Sequence, residues 1–342
     1  MPLINNGAVL TLQDWAKSLG PDHKVQTRVA QLLAQKNGIV TDAGWIMGNL
    51  PIGHQMEVQT GLPDAYYVGL NAFVPVSHDT AMPILEQAAI LKAFSDVDQD
   101  LYELGGPGEG EKLRARNGKS QIERFNQTYS KTAFYGNTQA NPSSFVGLST
   151  RFSSLEAVNG QNILDAGGVN STNASIWMVV WGEDTSTMFF PQGSKAGIEH
   201  MDLGLVTMNS INTAIGASDS SPLVKMVYRE KWAWKHGLAL PDWRYVVRIA
   251  NIDVPSLLAK QGADLLDLLI RAYHHLPDPQ QGRPAIYMNR TIAEMLDVQK
   301  RDAVKEGGQL KYEVVDGVEI PVFRGMPVRI VDQLLNTEAR VV

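Results

Sequence analysis

The chain contains no cysteine among its 342 residues. That excludes disulfide scaffolds, thiolate zinc sites, iron–sulfur clusters and cysteine nucleophiles, and it fits a chain folded in a reducing compartment. Charge is scarce as well. Asp, Glu, Lys and Arg make up 19% of the residues, against about 25% in a typical soluble domain. Apolar content is an ordinary 44%, so neutral polar groups stand where charge is usual. That pattern suits β-rich proteins and surfaces covered by other subunits, whose interface cores are depleted of charge. The formal net charge is −6. Gripping nucleic acid needs the opposite balance, because cations must displace the counterions of the phosphate backbone. No stretch approaches the roughly 18 apolar residues of a membrane helix, and residues 1–12 lack the basic start and apolar core of a secretory signal.

One absence is local. No Lys or Arg occurs from Asn37 to Leu91. Glycine and proline recur there, at Gly48, Pro51, Gly53, Gly61, Pro63, Gly69 and Pro75, around two extended runs, Gln55–Thr60 and Ala65–Val76. The pattern predicts a long two-stranded excursion. Trp45, Tyr66, Tyr67 and Phe73 are too apolar for a bare surface loop and call for a cover.

Around this segment the residues predict an alternation of helices and strands. Residues 1–44 read as an arm with two short amphipathic helices. Ile84, Ala88, Leu91, Phe94, Val97, Leu101 and Leu104 recur every three or four residues and predict a long helix over 81–104, ended by Gly105-Gly106-Pro107. Ser120 and Glu123 predict a second helix start, with Gly136 at its end. Ser175–Trp181 reads as a strand buried on both faces, and residues 243–249 as a half-exposed strand that follows a turn at His236-Gly237. A helix over 263–276, a strand over 285–288, a helix capped by Asn289 and strands over 310–335 complete the chain.

Motifs for chemistry are nearly absent. Gly118-Lys119-Ser120 mimics the end of a phosphate loop, but the glycine needed five residues earlier is Leu113. The glycines at 106–110 lack dinucleotide spacing. None of the seven histidines forms a metal-like cluster, and no G-x-S-x-G elbow exists. Glu183, Asp184 and His200 are the candidate acid–base residues for a soluble hydrolase. Five of the seven tryptophans fall between Trp177 and Trp243, as in a compactly packed domain.

Several long strings carry a resemblance: LKAFSDVDQDL (91–101), KTAFYGNTQANPSSFVGLSTRF (131–152), SIWMVVWG (175–182), FPQGSKAGI (190–198), WKHGLALPDWRYVVRIANID (234–253), RPAIYMNRTI (283–292) and RGMPVRIVDQLLNTEARV (324–341). In them the chain resembles tailed-bacteriophage major capsid proteins of the Hong Kong 97-type fold, above all the coat proteins of the epsilon fifteen group. The resemblance implies an α+β chain. Its parts would be an N-terminal arm (1–44), an extended loop laid across a neighbour (45–78), a peripheral domain with a spine helix (79–150), an axial domain (151–299) and C-terminal strands returning to the peripheral domain (300–342).

It further implies a non-enzymatic shell protein without cofactor or metal. Copies would assemble as pentamers and hexamers of an icosahedral virion shell in the host bacterial cytoplasm, without a membrane. Portal, scaffold and decoration proteins would be partners, and double-stranded DNA would be enclosed without sequence specificity. The acidic balance would keep the inner wall from sticking to it. An encapsulin-like nanocompartment shell is the alternative within the fold. In the type member a loop lysine forms an isopeptide bond with a neighbour's asparagine; this loop has no lysine to offer.

Overall fold

The structure is a computed structural model describing residues 37–104, 106–211, 222–303, 310–315 and 318–342. The expected arm helices lie outside those residues. Strands in chain order are β1 (Trp45–Met47), β2 (Gly53–Gly61), β3 (Thr80–Gln87), β4 (Ala89–Asp98), β5 (Ile163–Asp165), β6 (Asn173–Trp181), β7 (Thr187–Phe190), β8 (Ile198–Ile211), β9 (Pro222–Ala239), β10 (Val246–Asp253), β11 (Arg283–Met288), β12 (Leu310–Val315), β13 (Val318–Phe323) and β14 (Met326–Ile330). The main helices are α1 (Gln99–Leu104), α2 (Glu109–Tyr135), α3 (Val254–Leu258), α4 (Leu265–His275) and α5 (Arg290–Ala303).

The chain divides into two compact units. One includes Leu91–Phe125 and Gly197–Trp234; the other comprises Gln35–Ile90, Asn126–Ala196 and Lys235–Val342. The larger unit is organised on a seven-stranded mixed sheet in the order β12-β13-β14-β11-β6-β10-β5. As its continuous apolar run predicts, β6 is buried at every residue. On one face Ile176, Met178 and Val180 join Val247, Ile249, Ile286 and Met288 under the apolar stripes of α4 and α5. On the other face Trp177 meets the rings of Phe134 and Phe152. Asp264 caps α4 through the amides of Leu266 and Asp267, and Asn289 accepts from the Ile292 amide at the start of α5. The Asp267–Arg271 pair forms across one turn at 2.7 Å.

In the smaller unit β8 and β9 form a long antiparallel hairpin, with a register shift between Asp202 and Gly204. Val97, Leu101 and Leu113 make a small core there.

Four expectations are corrected. Residues 81–104 are not a long helix: they form β3, β4 and the short α1. A three-to-four spacing of apolar residues also contains an alternation, in which Ser95 and Val97 are buried while Phe94 lies half exposed, and β-sheet pairing exploits that second pattern. Pro83 sits in β3, in a two-stranded sheet, where its missing N–H is tolerated at the edge.

The long helix is α2, 27 residues and about 40 Å at ~1.5 Å per residue. It runs through Gly110 and Gly118 and starts well before Ser120, which lies inside it, its hydroxyl bonded back to the Arg116 carbonyl at 3.4 Å. The glycines serve close packing. A Cβ at Gly110 would sit 2.4 Å from the Tyr102 ring, and one at Gly118 3.1 Å from Trp232. His236-Gly237 is not a turn but lies within β9, where a Cβ at Gly237 would meet the Phe189 ring at 2.4 Å. Finally, β10 is buried on both faces, not half exposed, because Arg248 finds a buried partner ninety positions away in Glu338.

Candidate functional site

The excursion expected after residue 45 is an antiparallel hairpin of β2 and β3, with Gly53 opposite Gln87 and Gly61 opposite Thr80. It reaches Gln87, past residue 78. Ala65–Val76 forms no strand and instead spans the far end of the hairpin. A few polar contacts order this end: Thr60 Oγ1 donates to the Thr80 carbonyl at 3.1 Å, Ser77 Oγ to the Asp64 carbonyl at 3.0 Å, and Tyr66 OH to Asp64 Oδ2 at 3.2 Å. Its large apolar side chains are bare. Tyr67, Leu70 and Phe73 are fully exposed, and Leu62 and Val76 are at least 80% exposed. A run of apolar surface this long is unusual on a monomer and marks an interaction site.

The base of the hairpin is held differently. Gly48 N donates to the Phe190 carbonyl at 2.8 Å, and Ala88 N to the Ile52 carbonyl at 3.0 Å. Asn49 exchanges two hydrogen bonds with the Gln55 backbone, and Gln87 Nε2 donates to the Pro142 carbonyl at 3.0 Å. Glu86 is buried, and both of its carboxylate oxygens receive Arg151 guanidinium protons at 2.6 Å.

The hydrolase candidates lie in different units. Glu183 and Asp184 are exposed in the turn between β6 and β7 of the larger unit. His200 lies on β8 of the smaller unit, stacked near Trp232 at 4.2 Å between ring centroids and 3.7 Å from Glu230. Of the tryptophans between residues 177 and 243, Trp177, Trp181 and Trp234 are buried.

A cleft of about 560 Å³ opens between Asp42, Arg283, Gly325 and Arg329, but the Asp42 carboxylate is occupied by Arg329 at 2.9 Å. Among the described residues no three His, Asp or Glu side chains gather as a metal site, and no helix is long and apolar enough to cross a membrane.

Sequence reading missed those ion pairs whose partners are far apart in the chain. Asp96, Asp100 and Glu103 look like one helical stripe, yet Asp96 sits on β4 and pairs with Arg229 at 2.7 Å. Arg114 bridges Asp202 at 2.7 Å and Glu230 at 2.8 Å. The Arg114 hydrogen bond holds the Asp202 carboxyl below its ordinary range. In the larger unit Arg248 donates to Glu338 at 2.8 Å, to the Phe152 carbonyl at 2.7 Å and to Ser175 at 3.1 Å. Tyr135 OH and Ser175 Oγ complete the carboxylate's shell, and burial followed by the Glu338 charge raises the Tyr135 hydroxyl.

Among the described residues the geometry is thus that of a packed scaffold with a bare apolar hairpin end. Comparison with known proteins agrees. A family model described as "Major capsid protein GP7" matches residues 20–342. The solved structure of bacteriophage Epsilon15 is similar over 100% of this chain and 99% of that one, at 26% identity and a TM-score of 0.72. The bacteriophage JBD30 capsid is a weaker likeness, 10% identical with a TM-score of 0.43 over 95% of this chain and 99% of that one. No curated protein matches. The architecture is the α+β, Hong Kong 97-type capsid fold, and copies of such a chain build the virion's capsid shell. The chain belongs to the major capsid protein GP7 family.

Proposed function

We propose that copies of this chain close into an icosahedral shell of pentamers and hexamers around the double-stranded DNA of a tailed phage. In this reading the hairpin Gly53–Gln87 is the arm each subunit lays on a neighbour. The observation that carries it is the bare apolar end of that hairpin, with Tyr67, Leu70 and Phe73 fully exposed on a segment that has no cation. Covering those side chains would release about 25 cal/mol for each Å² of apolar surface removed from water, repeated at every subunit of a shell.

The parts then take these roles. Residues 1–44 are the separate N-terminal arm, α2 takes the spine-helix role, residues 151–299 form the axial domain, and the C-terminal strands extend the sheet of β6. Assembly takes place in the host cytoplasm, with portal and scaffold proteins as partners and DNA held without sequence specificity. The subunit performs no catalysis. Contacts through the hairpin are non-covalent, since no lysine lies between Asn37 and Leu91.

The test is to express the chain with and without its scaffold, image the product, and run purified particles on a denaturing gel. Closed shells that elute in the void volume and dissociate to single chains are expected. A small oligomer under all conditions, or a ladder of crosslinked chains, would contradict the reading.

A further inference from the structure

The hairpin is a cantilever. From His54 to Leu85 no residue of β2 or β3 is buried, whereas Gly53 and Glu86, opposite each other's neighbours at the root, are. A strand of nine residues is about 30 Å long at ~3.3 Å per residue, so a swing of about 10° at the root moves the far end by about 5 Å. An arm that must seat on a second copy therefore needs its direction fixed at the root.

One side chain is placed to do this. Arg151 forms a bidentate pair with Glu86, both bonds 2.6 Å, and spends its remaining reach on the carbonyls of Val146 at 3.3 and 3.4 Å and Leu238 at 3.3 Å. A single planar guanidinium thus ties the root of β3 to the loop before residue 147 and to the end of β9. The fork geometry restricts angle as well as distance, which a lysine ammonium would not do. The backbone at the same level is packed without slack: a Cβ at Gly53 would fall 2.3 Å from the Glu86 carbonyl oxygen, and one at Gly48 2.8 Å from that of Gly53. Glu86 is the one acidic residue of the hairpin that is buried; Glu57, Asp64 and Asp79 face solvent.

We infer that Arg151 is a positioning residue for assembly: through Glu86 it fixes the angle at which the hairpin leaves the larger unit, and so where the apolar end meets the neighbour. This rests on the reading that the hairpin seats on a second copy.

The test uses the full chain with Glu86→Gln, Arg151→Lys and, as a control on the underlying reading, the triple variant Tyr67→Ser, Leu70→Ser, Phe73→Ser. Hydrogen exchange of the free subunit and the size distribution of the particles are measured for each. The first two variants are expected to speed exchange of the Gly48 and Ala88 amides by about tenfold while leaving β6 protected, and to give few or irregular shells. Uniform shells at the parent's yield from both variants overturn the inference. So does faster exchange, or loss of folding, that extends through β6, because the pair would then be a general staple. If the triple variant forms normal shells, the underlying reading fails. If it fails to assemble while the other two assemble normally, only the role of Arg151 falls.

Discussion

The hairpin of β2 and β3 and the sheet around β6 are made of similar residue types and put them to opposite use. In β6, Ile176, Trp177, Met178, Val179 and Val180 are each at most 1% exposed. At the end of the hairpin, Tyr67, Leu70 and Phe73 are bare. Composition alone does not separate the two; neighbours in the fold do. The sheet has strands on both edges of β6 and helices or rings on both faces, so its apolar groups are satisfied within one chain. The hairpin has only its own partner strand, and a two-stranded ribbon is marginal by itself. The ion pairs divide in the same way. Arg248–Glu338 lies inside the packed unit, Arg151–Glu86 at the root of the hairpin, and the hairpin beyond Glu86 carries no cation of its own.

The largest break in this comparison comes from the sheet. Arg248→Ala leaves Glu338 with Ser175 and Tyr135 but without its counter-charge, 6% exposed. Removing one member of a buried pair costs about 3–5 kcal/mol, a large share of the stability of an ordinary domain. The midpoint of denaturant unfolding should drop accordingly, and expression should yield little soluble subunit. The double variant Arg248→Met, Glu338→Leu should recover most of the loss, since an apolar pair of similar volume leaves no orphan charge. If Arg248→Ala unfolds at the parental denaturant concentration, the pair carries no such weight.

The hairpin predicts the reverse. Replacing Tyr67, Leu70 and Phe73 with serine changes exposed side chains only, so each should alter subunit stability by no more than about 0.5 kcal/mol. Assembly should nevertheless fail, read as a shift from void volume to free subunit in chromatography. A variant that both unfolds easily and fails to assemble would mean that the hairpin's end packs within its own subunit.

How far this division could be read from the sequence depends on how local its causes are. The run SIWMVVW announces a strand covered on both faces, and Asn289 announces its helix, because the signals sit in the residues themselves. The cation-free excursion was legible for the same reason, as a stretch of apolar residues with nothing nearby to cover them. Residues 81–104 misled because apolar spacing there fits two periods, and the pairings of β3 with β2 and of β4 with β9, both far along the chain, decide between them. Gly110 and Gly118 misled because their role depends on Tyr102 and on Trp232, more than a hundred residues beyond. Arg248, Arg151 and Arg229 gave no signal at all: each has its partner between 65 and 133 positions away. The apolar arm was therefore visible in the sequence, and the clamp at its root was not.

The smallest expected effect concerns the outer rim of the smaller unit, where exposure weakens what burial strengthens. Asp202 is half exposed and bonded to Arg114, whose other partner is Glu230. The Arg114 hydrogen bond, with help from the Gly204 amide, lowers the Asp202 carboxyl from its ordinary 3.8. A depressed acid stabilises the folded state above its unfolded value and loses that contribution as pH falls through the folded one. Asp202→Asn should therefore leave stability near pH 7 slightly reduced and flatten its decline below about pH 4. The difference from the parent should shrink as salt is raised, because a solvated pair is screened. Arg114 keeps Glu230, which is buried, so Glu230→Gln should be the more damaging of the two changes. Unfolding midpoints for both variants, measured from pH 3 to 7 at low and high salt, check the order. Equal losses at all pH values would mean that Asp202 acts through packing at the β8 register shift and not through its charge.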